Sequence, residues 1–199
     1  MRRLNRDAAE AMNEVGVHAA TDVTGFGLVG HLLRMMEGSG TTAHLSVADI
    51  PLLDGARELV EEAVVPGGTR VNLETVGSHV GWHPETTDED KLLLCDAQTS
   101  GGLMMSVAED RVEKLLSELA ARDVPHYVIG TVTGEKTGVV THRCNPCFPG
   151  CEGCTGPSAN ECLLCPAGRT WHPGRPSSSV SCPSQGYPGA VFPSPAAAP

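Results

Sequence analysis

The sequence predicts an α+β domain: a mixed β-sheet with helices packed on one face, followed by an irregular tail rich in Cys and Pro. Three observations lead there. Stretches whose apolar residues recur every three or four positions alternate with short apolar runs, the two signatures of helix and strand. Glycine-containing turns separate these stretches. The composition then changes abruptly at His142: the 58 residues from there on hold 11 of the 15 Pro and 7 of the 8 Cys. The first 141 residues carry a net charge of −11 and the remainder +1. A shift this sharp marks a boundary. It divides the chain into a domain over 1–141, a Cys-rich module over 142–175, and a Pro/Ser/Ala-rich stretch over 176–199 expected to be disordered.

The elements follow in order. Leu4, Ala8, Ala9, Met12 and Val15 share one helical face, and Gly16 suits the stop. Val17 to Val23 is a strand candidate, and Gly25-Phe26-Gly27 a tight turn. Leu28, Val29, Leu32, Leu33 and Met36 form a second helical stripe, ended by Glu37-Gly38-Ser39-Gly40. Thr41 to Val47 reads as a strand and Asp54 to Ala63 as a short helix. Val65-Pro66-Gly67-Gly68-Thr69 has the chemistry of a loop. Leu103 to Val107 is a strand, and Val112, Leu115, Leu116 and Leu119 are again helical in spacing. His126 to Val132 and Gly138 to Thr141 complete the sheet.

Composition removes several functions. A net charge of −10 makes a poor generic binder of nucleic acid. No window approaches the roughly 18 uninterrupted apolar residues of a membrane span. The first residues, Met1-Arg2-Arg3-Leu4-Asn5-Arg6, have charge but no apolar stretch behind it, so no secretory signal is expected.

Three loops carry the chemistry. In Thr21-Asp22-Val23-Thr24-Gly25-Phe26-Gly27-Leu28 a carboxylate ends a strand, two glycines permit close backbone approach, and a helix N-terminus follows. Free N–H groups there suit a phosphate, and a carboxylate suits Mg²⁺. The plain alternative is a capped turn, with Asp22 or Thr24 serving the helix. Asp96-Ala97-Gln98-Thr99-Ser100-Gly101-Gly102-Leu103 offers small hydroxyls and exposed backbone donors, the makings of an anion nest or simply of a polar turn. Val65 to Thr69 most simply supplies turn geometry. Cys95, in a Leu-Leu-Leu-Cys run, reads as a buried, inert thiol. His18 and His31 flank the first loop without an evident task. Glu58, Glu61 and Glu62 form a solvated helix face, and Met35, Met36, Met104 and Met105 fill core.

The series TDVTGFGLVGHL, IPLLDGARELVEEAVVPGGTRVNL, LLLCDAQTSGGLMMSV and VIGTV closely resembles the selenide, water dikinases (selenophosphate synthetases) over residues 1–133. The match is to that family's C-terminal domain, of the kind shared with aminoimidazole ribonucleotide synthetase. The resemblance implies the conversion of selenide, ATP and water to selenophosphate, AMP and phosphate, with ATP and Mg²⁺ as cofactors and a dimeric enzyme in the cytoplasm. It implies that Asp22 helps bind Mg²⁺. It further implies that Thr21, Thr24, Gly25, Gly27, Thr99, Ser100 and Gly101 face the nucleotide. The family's remaining metal aspartates, and the Gly-rich segment with its reactive Cys or selenocysteine and partner Lys, belong to an N-terminal half that nothing here matches. No catalytic residue is therefore assigned. The chain by itself is expected to be inactive until that half, or a longer product, completes it. A reading of a different class is a non-catalytic dimerisation or binding protein.

The tail spacing Cys144-x2-Cys147-x3-Cys151-x2-Cys154, then Gly156-Pro157 and Cys162-x2-Cys165, resembles one furin-type cysteine-rich repeat over 144–168. Such repeats are disulfide-stapled and extracellular. Cys182 is left over after three pairs. The 14 residues between Cys147 and Cys162 come near a zinc-ribbon spacing, so zinc is the competing ligand, in either case with a protein partner as a further option. The two modules thus imply opposite redox compartments.

Overall fold

The structure is a computed structural model that describes residues 4–134 and 138–142 and, as backbone, the strands at 153–154, 162–164 and 189–193. The furin-type repeat and the zinc alternative lie outside the described residues, apart from two short paired strands, β7 (Gly153–Cys154) and β8 (Cys162–Leu164).

The elements run α1 (Arg6–Val15), β1 (Ala19–Asp22), α2 (Gly27–Ser39), β2 (Thr42–Ser46), α3 (Ala56–Glu61), α4 (Gly67–Val76), β3 (Val80–Gly81) and α5 (Asp88–Leu94). Then come β4 (Leu103–Val107), α6 (Val112–Ala121), β5 (His126–Thr133), β6 (Gly138–His142) and, from the tail, β9 (Gly189–Pro193). Seven strands make one sheet in the order β1-β4-β9-β5-β2-β6-β3. β6 runs parallel to β2 and β3, and the other pairs are antiparallel. The class is α+β with a mixed sheet, as expected.

The covering differs from the expectation of one face. Along β4, Met104 belongs to a core with α2, α4 and α5, through Leu32, Met36, Val76 and Leu94. Leu103, Met105 and Val107 belong to a second core with α1 and α6, through Ala11, Val15, Leu115 and Leu119. Alternate residues of a strand point to opposite faces, so helices cover both faces here. The continuous run Leu-Met-Met-Ser-Val, buried throughout, is the signature of a strand covered on both sides.

Two helices depart from the reading by propensity. The Val65–Thr69 segment is not a loop throughout: Pro66 is the N-cap of α4, and both glycines lie in its first turn. Thr69, Asn72 and Val76 share its buried face, so tertiary contacts override the two glycines. The α5 helix, unassigned from sequence, is opened by a capping box in which Thr87 accepts from the Asp90 N–H and the Asp90 carboxylate accepts from the Thr87 N–H. Burial pushes the Asp90 carboxyl up, but hydrogen bonds from Arg57 and Thr87 outweigh it and hold the group below its ordinary range. The Arg57–Asp90 ion pair, at 2.7 Å, ties α3 to α5. Finally, within the stretch expected to be disordered, Gly189–Pro193 lies inside the sheet, third of its seven strands.

Candidate functional site

The site begins where β1 ends. Asp22 pairs in register with Leu103, the first residue of β4. Beyond both strand ends the chain keeps pairing. The Val23 N–H donates to the Gly102 carbonyl at 3.0 Å, and the Gly101 N–H donates to the Val23 carbonyl at 3.0 Å. The Gln98 N–H donates to the Thr24 carbonyl, also at 3.0 Å. The 21–28 and 96–103 loops are therefore one structure. Gly101 is required by this approach, because a Cβ there would lie 2.5 Å from the Val23 carbonyl oxygen. Gly27 has φ +71°, and a Cβ on it would come within 2.6 Å of the Cys95 carbonyl.

Neither Asp22 nor Thr24 caps α2: its N-cap is Phe26, with no side-chain hydrogen bond. Thr24 turns to His31 instead. Its N–H donates to His31 Nε2 at 3.1 Å, and its hydroxyl lies 3.1 Å from the same atom. An accepting Nε2 needs the neutral ring, and burial lowers the His31 pKa against the opposing pull of Asp22. His31 thus holds the loop. His18 is exposed, and its N–H donates to the Ser106 carbonyl at 2.7 Å.

An apolar cavity of 390 Å³ opens beside the paired loops. Val23, Leu28, Leu52, Leu53 and Ile129 are among its lining residues. Thr99, Ser100 and Gly101 lie on its wall; Thr21, Asp22, Thr24, Gly25 and Gly27 do not. Asp22 is exposed at the end of β1. The Thr99 and Ser100 N–H groups donate to no other group among the described residues, whereas those of Thr24, Gly27 and Gly101 are committed within the loops.

Sequence reasoning missed the residues behind the loops. The Thr69 hydroxyl donates to Asp96 Oδ1 at 2.6 Å and accepts from the Ala97 N–H at 3.3 Å. Gln98 Nε2 donates to Asp96 Oδ2 at 2.8 Å. Asn72 Nδ2 donates to the Gly25 carbonyl at 2.8 Å and the Cys95 carbonyl at 3.0 Å, joining α4 to both loops. Asn5 Nδ2 donates to the Gly101 carbonyl at 3.2 Å. The signal was available: once 67–76 is read as a helix, Thr69, Asn72 and Val76 share a face, which places two polar side chains inside and demands partners for them. Cys95 is fully buried, and desolvation pushes its thiol up to about 12, so it is no nucleophile.

For a cation, the loops offer one exposed carboxylate, Asp22, and no group of three His, Cys, Asp or Glu converges among the described residues. This single carboxylate would supply one oxygen to a hard cation such as Mg²⁺, and the remaining oxygens would have to come from outside these loops. The Thr99 and Ser100 N–H groups fit an anion.

Fold and loops together define a class of protein: an α+β domain whose sheet ends in a two-loop, glycine-built rim beside an apolar cavity. The chain belongs to the family described as AIR synthase related protein, C-terminal domain, which matches residues 1–143. Over 143 residues it is 43% identical to a selenide, water dikinase of Carboxydothermus hydrogenoformans, covering 72% of this chain and 41% of that one. It is 45% identical over 119 residues to a selenide, water dikinase of Caldanaerobacter subterraneus (60% of this chain, 34% of that one). A Shewanella relative of the same name is 40% identical over 132 residues (66% and 37%). The chain thus spans about two fifths or less of the length of these curated relatives. No helix among the described residues is long and apolar enough to cross a membrane.

Proposed function

We propose that residues 1–141 form the C-terminal part of an ATP-dependent selenophosphate synthetase, in which selenide, ATP and water give selenophosphate, AMP and phosphate. The observation that carries this reading is the backbone pairing of the 21–28 and 96–103 loops, which unites in one rim the residues the two motifs contribute. In this reading Asp22 offers its carboxylate to Mg²⁺ at the open end of β1. The uncommitted N–H groups of Thr99 and Ser100 face phosphate oxygens. Thr21, Thr24, Gly25, Gly27 and Gly101 shape the backbone around them. The bound Mg²⁺ would supply charge relief to the phosphates during phosphoryl transfer.

The site is one-sided. Asp22 is the rim's one exposed carboxylate, Asp96 being engaged by Thr69 and Gln98, and Cys95 is inert, so the remaining ligands and the reactive nucleophile come from an N-terminal half, in the same polypeptide or in a partner. Dimerisation and a cytoplasmic setting belong to the same proposal, as does a separate Cys-rich module over 142–175 with a disulfide-stapled repeat at 144–168.

The test mixes the purified chain with a separately expressed N-terminal half of a relative, then adds selenide, ATP and Mg²⁺. Selenophosphate and AMP are followed by phosphorus NMR. Product is expected only in the mixture and only with Asp22 intact, Asp22→Ala abolishing it. A folded chain that gives no product in the mixture refutes the proposal and leaves a non-catalytic binding domain.

A further inference from the structure

The family match ends at residue 143, yet a strand from beyond it sits inside the sheet. β9 pairs antiparallel with β4 on one side, placing Gly189, Ala190 and Val191 opposite Val107, Ser106 and Met105. On the other side it pairs antiparallel with β5, from Gly189 opposite Thr131 to Pro193 opposite His126, with a bulge between Val128 and Gly130.

β4 and β5 are consequently parallel to each other and one strand apart. Without β9 their facing edges would stand two strand spacings apart, about 9–10 Å, beyond hydrogen-bond reach. Both faces of these strands are covered, Met104 and Ile129 packing in the core under α2, and Met105 and Val107 in the core under α1 and α6. Buried backbone N–H and C=O groups must find partners. The slot between β4 and β5 therefore requires an occupant, and an antiparallel strand satisfies both edges at once. The register places position 191 opposite Met105 and Val128, both part of the core beneath α1 and α6. Position 190 stands opposite Ser106 and Gly130.

We propose that the gap between β4 and β5 is a strand-acceptor site, and that the chain's own tail, Gly189–Pro193, fills it and completes the domain. The mode is β-strand addition, with main-chain hydrogen bonds giving the affinity. It is independent of any catalytic role for the loops.

Amide hydrogen exchange on the full chain tests this directly. The Ala190, Val191 and Phe192 amides are expected to exchange at least ~1,000-fold more slowly than in an unstructured peptide. Exchange at the unstructured rate overturns the proposal, whatever any variant does. The second arm uses Val191→Pro, which removes a ladder donor, with Ser178→Pro as control. Val191→Pro is expected to strip protection from Met105 to Val107 and from Val128 to Thr131, the control leaving it intact. A synthetic peptide of residues 186–196 added in trans is expected to restore it. Unchanged protection in Val191→Pro means that β4 and β5 are satisfied without the tail, and sinks the idea.

Discussion

Asn72 is the side chain that ties α4 to both loops of the rim. Its amide donates to the Gly25 carbonyl at 2.8 Å and the Cys95 carbonyl at 3.0 Å, from a residue only 9% exposed. Asn72→Ala removes both donors. Gly25 is exposed, so water can replace that bond at a cost near ~1 kcal/mol. Cys95 is fully buried, and its carbonyl loses a partner that water replaces poorly, at a further ~2 kcal/mol. The expected loss is about 3 kcal/mol, a large share of a domain's stability. Asn72→Asp is a sharper probe, because it turns an acceptor toward two acceptors while keeping the size. At neutral pH it should cost at least as much as alanine. Below about pH 4 a protonated carboxyl regains one donor, and the gap to the parent should narrow. Urea denaturation, read as the midpoint at constant slope, measures all three proteins. An Asn72→Ala loss under ~0.5 kcal/mol, or an Asn72→Asp protein as stable as the parent at pH 7, would refute the role.

Two further outcomes follow from the burial of titratable groups. His142 stacks on His44, with Nδ1 of His44 3.0 Å from Nε2 of His142. Burial lowers the His142 pKa, and the His44 and His83 charges lower it further. Its folded value lies below its unfolded one, so it contributes stability that is fully present above about pH 6.5 and is lost as pH falls through the folded value. The urea midpoint should therefore drop from pH 7.5 to pH 5, and drop less in His142→Gln; parallel curves would contradict the assignment. Cys95, with its thiol raised to about 12, should resist a thiol reagent in the native chain and react on unfolding. Labelling at the same rate in native and denatured protein would show that the thiol is accessible.

Much of the fold is legible in local pattern. The helical stripes ending at Val15, at Met36 and at Leu119, and the strand Leu103–Val107, lie where their spacing places them. What escaped local pattern was set by distant partners. Gly67-Gly68 opposes a helix by propensity, but Thr69 and Asn72 gain Asp96, Gly25 and Cys95 on entering one. The second covered face follows from α1 and α6 meeting across β4, a pairing of residues far apart in sequence. The interior strand at 189–193 is short, follows Pro188 and ends on Pro193, so composition spoke for disorder. In the site, the Gly and Asp positions stood out as chemistry, while their reasons are partly mechanical. Gly27 and Gly101 are glycine because backbone passes where a Cβ would be.

The acceptor slot and the candidate site meet on one strand. β4 carries the 96–102 loop at its start, pairs with β1 on one edge and with β9 on the other. The bonds that fix the rim, from Val23 to Gly102 and from Gly101 to Val23, continue the β1–β4 ladder beyond its last regular pair, Asp22 with Leu103. The rim can be no more ordered than the strand that anchors it. A β4 held on both edges presents Thr99 and Ser100 from a fixed base. A β4 freed on its β9 edge keeps only the four-residue, largely exposed β1 as a partner. The proposed acceptor slot and the rim around Asp22 therefore share β4 as their common support, without a tail residue having to touch the rim.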